Sequence, residues 1–221
     1  DLFDFPNIHV MPGKHNYLLV DDIGDNAKAA GVNVKTIEKW FTKAWAAVLD
    51  KNSEDYQKYI DITSFAKMYL MLEVSKTYDC YAGNVIMRRN GMTSKDKLIA
   101  GPAWDYDIAF GRTLHKFFVG VSEPMQINAE GWYVDHIGAD LSDQPISLLQ
   151  ELHKPQSFRD HVAKFYKAHE ADFKDAAANV SRQQALLRDS ALMNNERWLT
   201  NNLCADYVVA PNTMRAIGTG K

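Results

Sequence analysis

The residues best equipped for chemistry lie between Thr77 and Gly111. Asp79 and Asn84 share the run Thr77-Tyr78-Asp79-Cys80-Tyr81-Ala82-Gly83-Asn84. Asp105 and Asp107 share Gly101-Pro102-Ala103-Trp104-Asp105-Tyr106-Asp107-Ile108-Ala109-Phe110-Gly111. A carboxylate that carries no metal can orient a hydroxyl and take its proton. A carboxamide oxygen with nearby carboxylates makes an all-oxygen donor set, which suits Mg2+ shared with substrate phosphates. Asp79 is thus a candidate catalytic acid, and Asn84, Asp105 and Asp107 are candidate metal ligands. That division of labour is the one protein kinases use, with Asp-x-x-x-x-Asn in the catalytic loop and a later Asp on the metal. A plain structural role is also open. Asp79 and Asn84 can cap turns, and Asp105 and Asp107 can pair with Arg88, Arg89 or Arg112. Two acids held close between aromatic residues repel each other, however, and a bound cation relieves that. Metal-dependent hydrolysis and two-carboxylate glycoside cleavage use similar acids, but the latter leaves Asn84 without a task.

The element that must position these groups is a hairpin. Val85-Ile86-Met87-Arg88-Arg89 is β-prone, Asn90-Gly91 tolerates the positive φ of a tight turn, and Leu98-Ile99-Ala100 starts a return strand after the polar loop Thr93 to Lys97. Five residues carry a strand roughly 17 Å out, and its partner carries the chain back. Asn84 and Asp105 then end at one edge of the sheet, with Asp79 just before it. On an extended stretch Asp105 and Asp107 share a face, with Trp104 and Tyr106 on the other.

Helices supply the rest. Val34 to Leu49 carries Ile37, Trp40, Phe41, Ala44, Trp45, Val48 and Leu49 at helical steps, the pattern of a core-facing stripe. Asp61 to about Lys76 is apolar nearly all round, as a buried helix is, with Asp61 or Thr63 as its cap. It delivers the chain to Asp79. Glu73 on that helix is either paired internally or aimed into the site. Further helices are expected over Ile146 to Leu152, Gln156 to His169, and Ala171 to about Trp198 as one or two pieces. Residues 1–34 read as loop-rich, with a short strand at Tyr17 to Val20. Asp21, Asp22 and Asp25 read as a solvated turn, since they lack calcium-loop spacing. Residues 112–145 form a long irregular insertion, in which Gly131-Trp132-Tyr133 is either a binding element or an aromatic anchor. Residues 205–221 read as a frayed tail. The fold class is α+β, mostly helical, in a single domain over residues 1–221.

Composition narrows the functions. The 221 residues have a net charge of −3, with no long basic run, so no footprint for nucleic acid is present. No apolar run reaches membrane-spanning length. Cys80 and Cys204 do not make a disulfide framework, and Cys80 reads as a small buried thiol. The opening Asp1-Leu2-Phe3-Asp4-Phe5-Pro6 has no signal-peptide character and reads as the interior of a longer protein.

Asp61-Ile62-Thr63-Ser64-Phe65, the step from Glu73 to Asp79, and above all the run from Gly101 to Gly111 resemble the CotH family, the spore coat protein H kinases. The resemblance covers roughly Trp40 to Gly111. It implies an atypical protein kinase with a distant protein-kinase-like fold, of which this chain is the C-terminal lobe. It implies ATP as substrate, Mg2+ or Mn2+ as cofactor, and a serine-rich spore coat or surface protein as acceptor. By the same resemblance Asp79 is the catalytic acid, Asp105 the metal-binding acid and Asn84 a second ligand. Asp107 matches the family pattern, and Trp104 is the candidate on the cofactor side. Ordinary kinases have His-Arg where Thr77-Tyr78 stands, and Asp-Phe-Gly where Asp105-Tyr106-Asp107 stands. No glycine-rich phosphate loop is present, and Lys14 and Lys35 are upstream lysines only by default. The expectation is a chain holding the catalytic loop and metal acids without a complete nucleotide pocket, at the spore coat or cell surface. The alternative is a non-catalytic adhesion or binding module of the same fold.

Overall fold

The computed structural model describes residues 8–11, 16–19, 23–77, 85–106, 109–110, 131–134 and 148–198. Their order is β1 (Ile8–Met11), β2 (Asn16–Leu19), α1 (Asp25–Ala29), α2 (Val34–Leu49), a 3-10 helix (Asp55–Lys58), α3 (Ile62–Ser75), β3 (Val85–Arg88), β4 (Ile99–Ala103), α4 (Leu148–Leu152), α5 (Gln156–Ala168) and α6 (Glu170–Trp198). The class is α+β and mostly helical, as the sequence implies. The strands form two separate antiparallel pairs, β1 with β2 and β3 with β4.

The first stretch is more ordered than a loop. β1 pairs with β2, placing Ile8 opposite Leu19, and Asp25 opens α1, with an exposed pairing to Lys28 at 3.8 Å. The core sits between α2, α3, β4, α4 and α5. α2 turns Phe41, Ala44, Trp45 and Val48 inward, as its periodicity predicts, with Trp40 partly buried against them; Leu49, expected in the same stripe, is 45% exposed because it ends the helix. Asn33 starts it, its side-chain oxygen accepting from the Thr36 amide at 3.1 Å. α3 is the centre: Phe65, Ala66, Met68, Tyr69, Leu70 and Leu72 are all buried.

α5 packs on α3 through Phe158 and Val162, and Thr63 meets His161 across that seam at 3.2 Å. The 3-10 helix joins α5 by a hydroxyl relay. Ser157 donates to Glu54 at 2.6 Å, so its own oxygen is left to accept from Tyr56, also at 2.6 Å. Burial pushes the Tyr56 phenol up, while the Ser157 hydrogen bond holds the Glu54 carboxyl down.

Two expected stretches fall outside the described residues. Only 131–134 of the insertion at 112–145 is described, and none of the tail at 205–221.

Candidate functional site

α3 positions the site at both ends. At its start Asp61 is the cap, its carboxylate accepting from the Ser64 amide at 2.8 Å. Ser64 Oγ donates back to the Asp61 carbonyl at 2.9 Å and accepts from the Ala100 amide at 3.0 Å. One serine thus closes the first turn of a helix and docks β4 onto it. Leu98 adds two backbone bonds, donating to the Tyr59 carbonyl at 2.7 Å and accepting from the Asp61 amide at 2.8 Å. The strand that leads to Asp105 is therefore fixed to the buried helix that leads to Asp79.

At its end α3 carries a latch. Glu73 is buried, and its carboxylate accepts from the Tyr133 amide at 2.8 and 3.0 Å and from the Val134 amide at 2.7 Å. Lys76 takes a left-handed backbone at φ 50°. Its ammonium donates to Glu73 at 3.2 Å and to the Gly131 carbonyl at 2.7 Å, and lies 5.7 Å from the centre of the Tyr133 ring. Glu73 is thus paired internally. Residues 131–134 are held through their backbone, with Val134 in the core, which is the anchor reading of Gly131-Trp132-Tyr133. Trp132 stays half exposed, its ring 5.0 Å from His153 and 5.8 Å from Tyr69.

The hairpin forms as expected, with Val85 opposite Ala103 and Arg88 opposite Ile99, and an irregularity between Val85 and Met87. Its loop is built differently from the expected tight turn. Neither Asn90 nor Gly91 takes a left-handed backbone. The loop instead folds around Asp96, whose carboxylate accepts from the Thr93 hydroxyl at 2.6 Å and the Thr93 amide at 2.9 Å. Those two bonds hold its carboxyl below the usual range, the hydroxyl contributing most. Gly91 is required by close approach: a Cβ there would lie 2.6 Å from an Asp96 carboxylate oxygen. Arg89 closes the loop, donating to the carbonyls of Asp96 and Thr93 at 2.8 Å each, with its guanidinium 4.0 Å from the centre of the Trp40 ring. Arg89 is thereby committed to the loop.

Of the candidate site residues, Trp104 and Asp105 are described. Asp79, Asn84 and Asp107 lie outside the described residues, as do Cys80 and Cys204. Both described residues are exposed at the end of β4. The expected alternation of faces fails at Asp105, which has φ 56°, so the stretch is not extended there. Consequently Trp104 and Tyr106 do not share a face. Trp104 points to solvent at 58% exposure, whereas Tyr106 packs against the core and directs its hydroxyl to the Met68 sulfur at 3.6 Å. Phe110 also has a positive φ, 54°, and its amide donates to the Ser75 carbonyl at 2.6 Å. The chain just beyond the hairpin acids is thus tied to the chain just before Asp79. Among the described residues no three His, Cys, Asp or Glu side chains come together to hold a metal. A groove of about 400 Å³ is lined by α6 side chains alone, Val180 and Leu187 among them, and by no acid.

Sequence reasoning missed Ser64 as a dock and Lys76 as half of a latch. The first has a signal, the Asp61-x-x-Ser64 spacing at a helix start. The second has a partial one, the Glu73-x-x-Lys76 spacing of an ion pair on one helix face, but the Gly131 carbonyl lies 55 positions from Lys76 and the Tyr133 and Val134 amides 60 and 61 from Glu73.

A buried helix, and a hairpin docked on it with Asp105 exposed just past its second strand, define a class: an α+β domain, mostly helical, in which a strand end is fixed to a buried helix. The family model described as "CotH kinase protein" matches residues 19–216. The chain belongs to that family. The match extends well beyond the stretch from Trp40 to Gly111, through α4, α5 and α6. No curated protein and no solved structure matches the chain. Among the described residues no helix is long and apolar enough to cross a membrane.

Proposed function

We propose that this chain carries the catalytic loop and metal acids of an ATP- and divalent-metal-dependent protein serine kinase of the CotH type, on a lobe resembling the C-terminal lobe of protein kinases. The observation that carries the reading is the hairpin register within a family match. Val85, the residue after Asn84, pairs with Ala103, two residues before Asp105. The Phe110–Ser75 backbone bond then ties the far side of the acid run to the end of α3, four residues before Asp79 in sequence.

In this reading Asp79 orients the acceptor serine hydroxyl and takes its proton. Asn84, Asp105 and Asp107 offer oxygen donors alone, which fits a hard cation such as Mg2+ or Mn2+. The cation, when bound, neutralises charge on the transferring phosphates. Asp105 is exposed and has a left-handed backbone, whereas the next residue, Tyr106, packs against the core. Exposed Trp104 gives the nucleotide an apolar face beside the acids. The acceptor is a serine-rich protein of a spore coat or cell surface, in keeping with the family.

The test uses the full-length protein that carries this chain, labelled ATP, Mg2+ or Mn2+, and a serine-rich acceptor. Asp79→Ala is expected to lower phosphotransfer by about 10²-fold or more, and Asp105→Ala to remove its metal dependence along with its rate. Equal labelling by wild type and Asp79→Ala contradicts the assigned role. Absence of ATP binding by the full-length protein, together with clear binding to a glycan or surface protein, would instead identify a non-catalytic adhesion module.

A further inference from the structure

Helix α2 has a second face that neither the core nor the candidate site uses. Phe41, Ala44, Trp45 and Val48 are buried on one side. Lys35, Lys39 and Lys43 recur every four residues on the other, all of them exposed. Among the described residues none of these ammoniums has an ion-pair partner. Glu38, the one acid within the helix, is half-buried on the flank. The first turn of α2 holds no acid and carries Lys35, although the helix dipole disfavours a cation at that end. The charge is thus placed against what the helix itself prefers, and the positive helix end adds to the attraction for an anion.

Four residues of helix rise about 6 Å, close to the roughly 6.6 Å that two residues of an extended peptide span. A peptide laid along α2 with an anion at every second residue therefore meets one ammonium per anion. A phosphoserine carries nearly two negative charges at neutral pH, and lysine meets it as a point charge that does not demand one geometry. Nucleic acid fits less well. Trp40, the aromatic next to Lys39, is already taken up by the Tyr59 ring edge and the Arg89 guanidinium, so it offers no platform for bases. A membrane surface fits less well too, because the apolar face of α2 is core. The Arg89 contact also ties the stripe to the hairpin whose second strand leads to Asp105.

We propose that Lys35, Lys39 and Lys43 bind an extended segment of acceptor already phosphorylated on alternate serines, and so retain it while further serines are modified. The choice of phosphoserine as the anion rests on the proposed serine kinase activity.

The test uses the full-length protein and a synthetic peptide of alternating alanine and phosphoserine, with binding measured by calorimetry. Affinity at least about 10-fold above that of the unphosphorylated peptide is expected, weakening as salt rises. Lys35→Gln, Lys39→Gln and Lys43→Gln together are expected to lower that affinity at least about 10-fold with no fall in melting temperature. Lys164→Gln with Lys167→Gln, exposed on α5, should leave it within about twofold. Equal affinity for the two peptides overturns the proposal. So does an equal loss in the α5 variant, which would show net charge alone at work. Tighter binding to a uridine oligonucleotide, or to vesicles of phosphatidylserine, than to the phosphopeptide overturns it in favour of that partner. Because the peptide is phosphorylated beforehand, its binding does not depend on catalysis. Phosphotransfer without binding through the stripe removes only the proposal. Binding through the stripe without phosphotransfer overturns the kinase reading while the anion-binding face stands.

Discussion

Helices α3 and α6 are held in opposite ways. Within α3, eight residues are buried, including Glu73 and Ser75. Within α6, no side chain among those described is buried, and Val180, Leu186, Leu187, Leu192 and Met193 are exposed. α3 is fixed by tertiary packing, and its polar groups tie β4 at one end and residues 131–134 at the other. Beyond its first turn, where Phe173 packs against the core and the Tyr166 ring, α6 relies on good helix formers such as Ala, Gln, Leu and Arg, and it begins with local pairs such as Lys174 with Glu170 at 2.7 Å. The contrast locates where rigidity is needed. α3, the helix that precedes Asp79 in sequence, is fixed along its whole length, while α6 is expected to tolerate change.

Mutations can break that contrast, beginning with the latch. Glu73→Ala leaves the buried amides of Tyr133 and Val134 without their acceptor and Lys76 without its anion. It is expected to cost about 3–5 kcal/mol in urea unfolding, the range for breaking a buried, hydrogen-bonded charge. A loss under about 1 kcal/mol would show that the 131–134 segment is not held there.

Leu72→Ala and Leu186→Ala delete the same side chain from the two helices. Leu72 is 1% exposed, and its truncation is expected to cost about 3 kcal/mol. Leu186 is 70% exposed, and its truncation should change stability by less than about 0.5 kcal/mol. Similar costs at both positions would mean that α6 is covered as α3 is.

The cap comes next. Asp61→Ala removes the acceptor of the Ser64 amide and is expected to cost about 1 kcal/mol. Amide exchange at Ala100 should quicken as well, because Ser64 joins the two elements.

The smallest effect concerns the hairpin loop and pH. The Asp96 carboxyl is held below its ordinary value by the Thr93 hydroxyl and amide. A depressed folded value means that its contribution is present above the unfolded value, about 3.9, and is lost as pH falls through the lower folded one. Protection of the Thr93 amide, measured against its intrinsic exchange rate at each pH, should therefore fall only in that acid window. Loosening near neutral pH would point to a group other than Asp96.

Much of the frame was legible because its signals are local. The stripe from Ile37 to Val48 and the nearly all-round apolar run from Phe65 to Leu72 announce α2 and α3 to within a residue or two. Two β-prone runs around a polar loop announce the hairpin. α6 was open between one and two helices and is one, since no Gly or Pro interrupts it. The misses have physical causes. Asn90-Gly91 can form a tight turn, but Arg89, Thr93 and Asp96 build a wider loop whose closure depends on side chains. Asp105 and Phe110 take positive φ without being glycine, which local preference does not foretell. The pairing of Glu73 depends on backbone amides about sixty positions away, beyond any periodicity. Of the candidate site, the sequence offers Asp79, Asn84, Trp104, Asp105 and Asp107, and the structure describes Trp104 and Asp105.

The central claim is that a buried helix and a docked hairpin hold a phosphoryl-transfer site whose acid is Asp79. Its most direct test is single-turnover phosphate transfer from labelled ATP to a serine-rich acceptor. The full-length protein and its Asp79→Asn variant are compared at matched melting temperature. The account predicts metal-dependent transfer by the wild type and at least about 10²-fold slower transfer by the variant. Equal rates in the two proteins, or transfer indifferent to chelation of the metal, would contradict it.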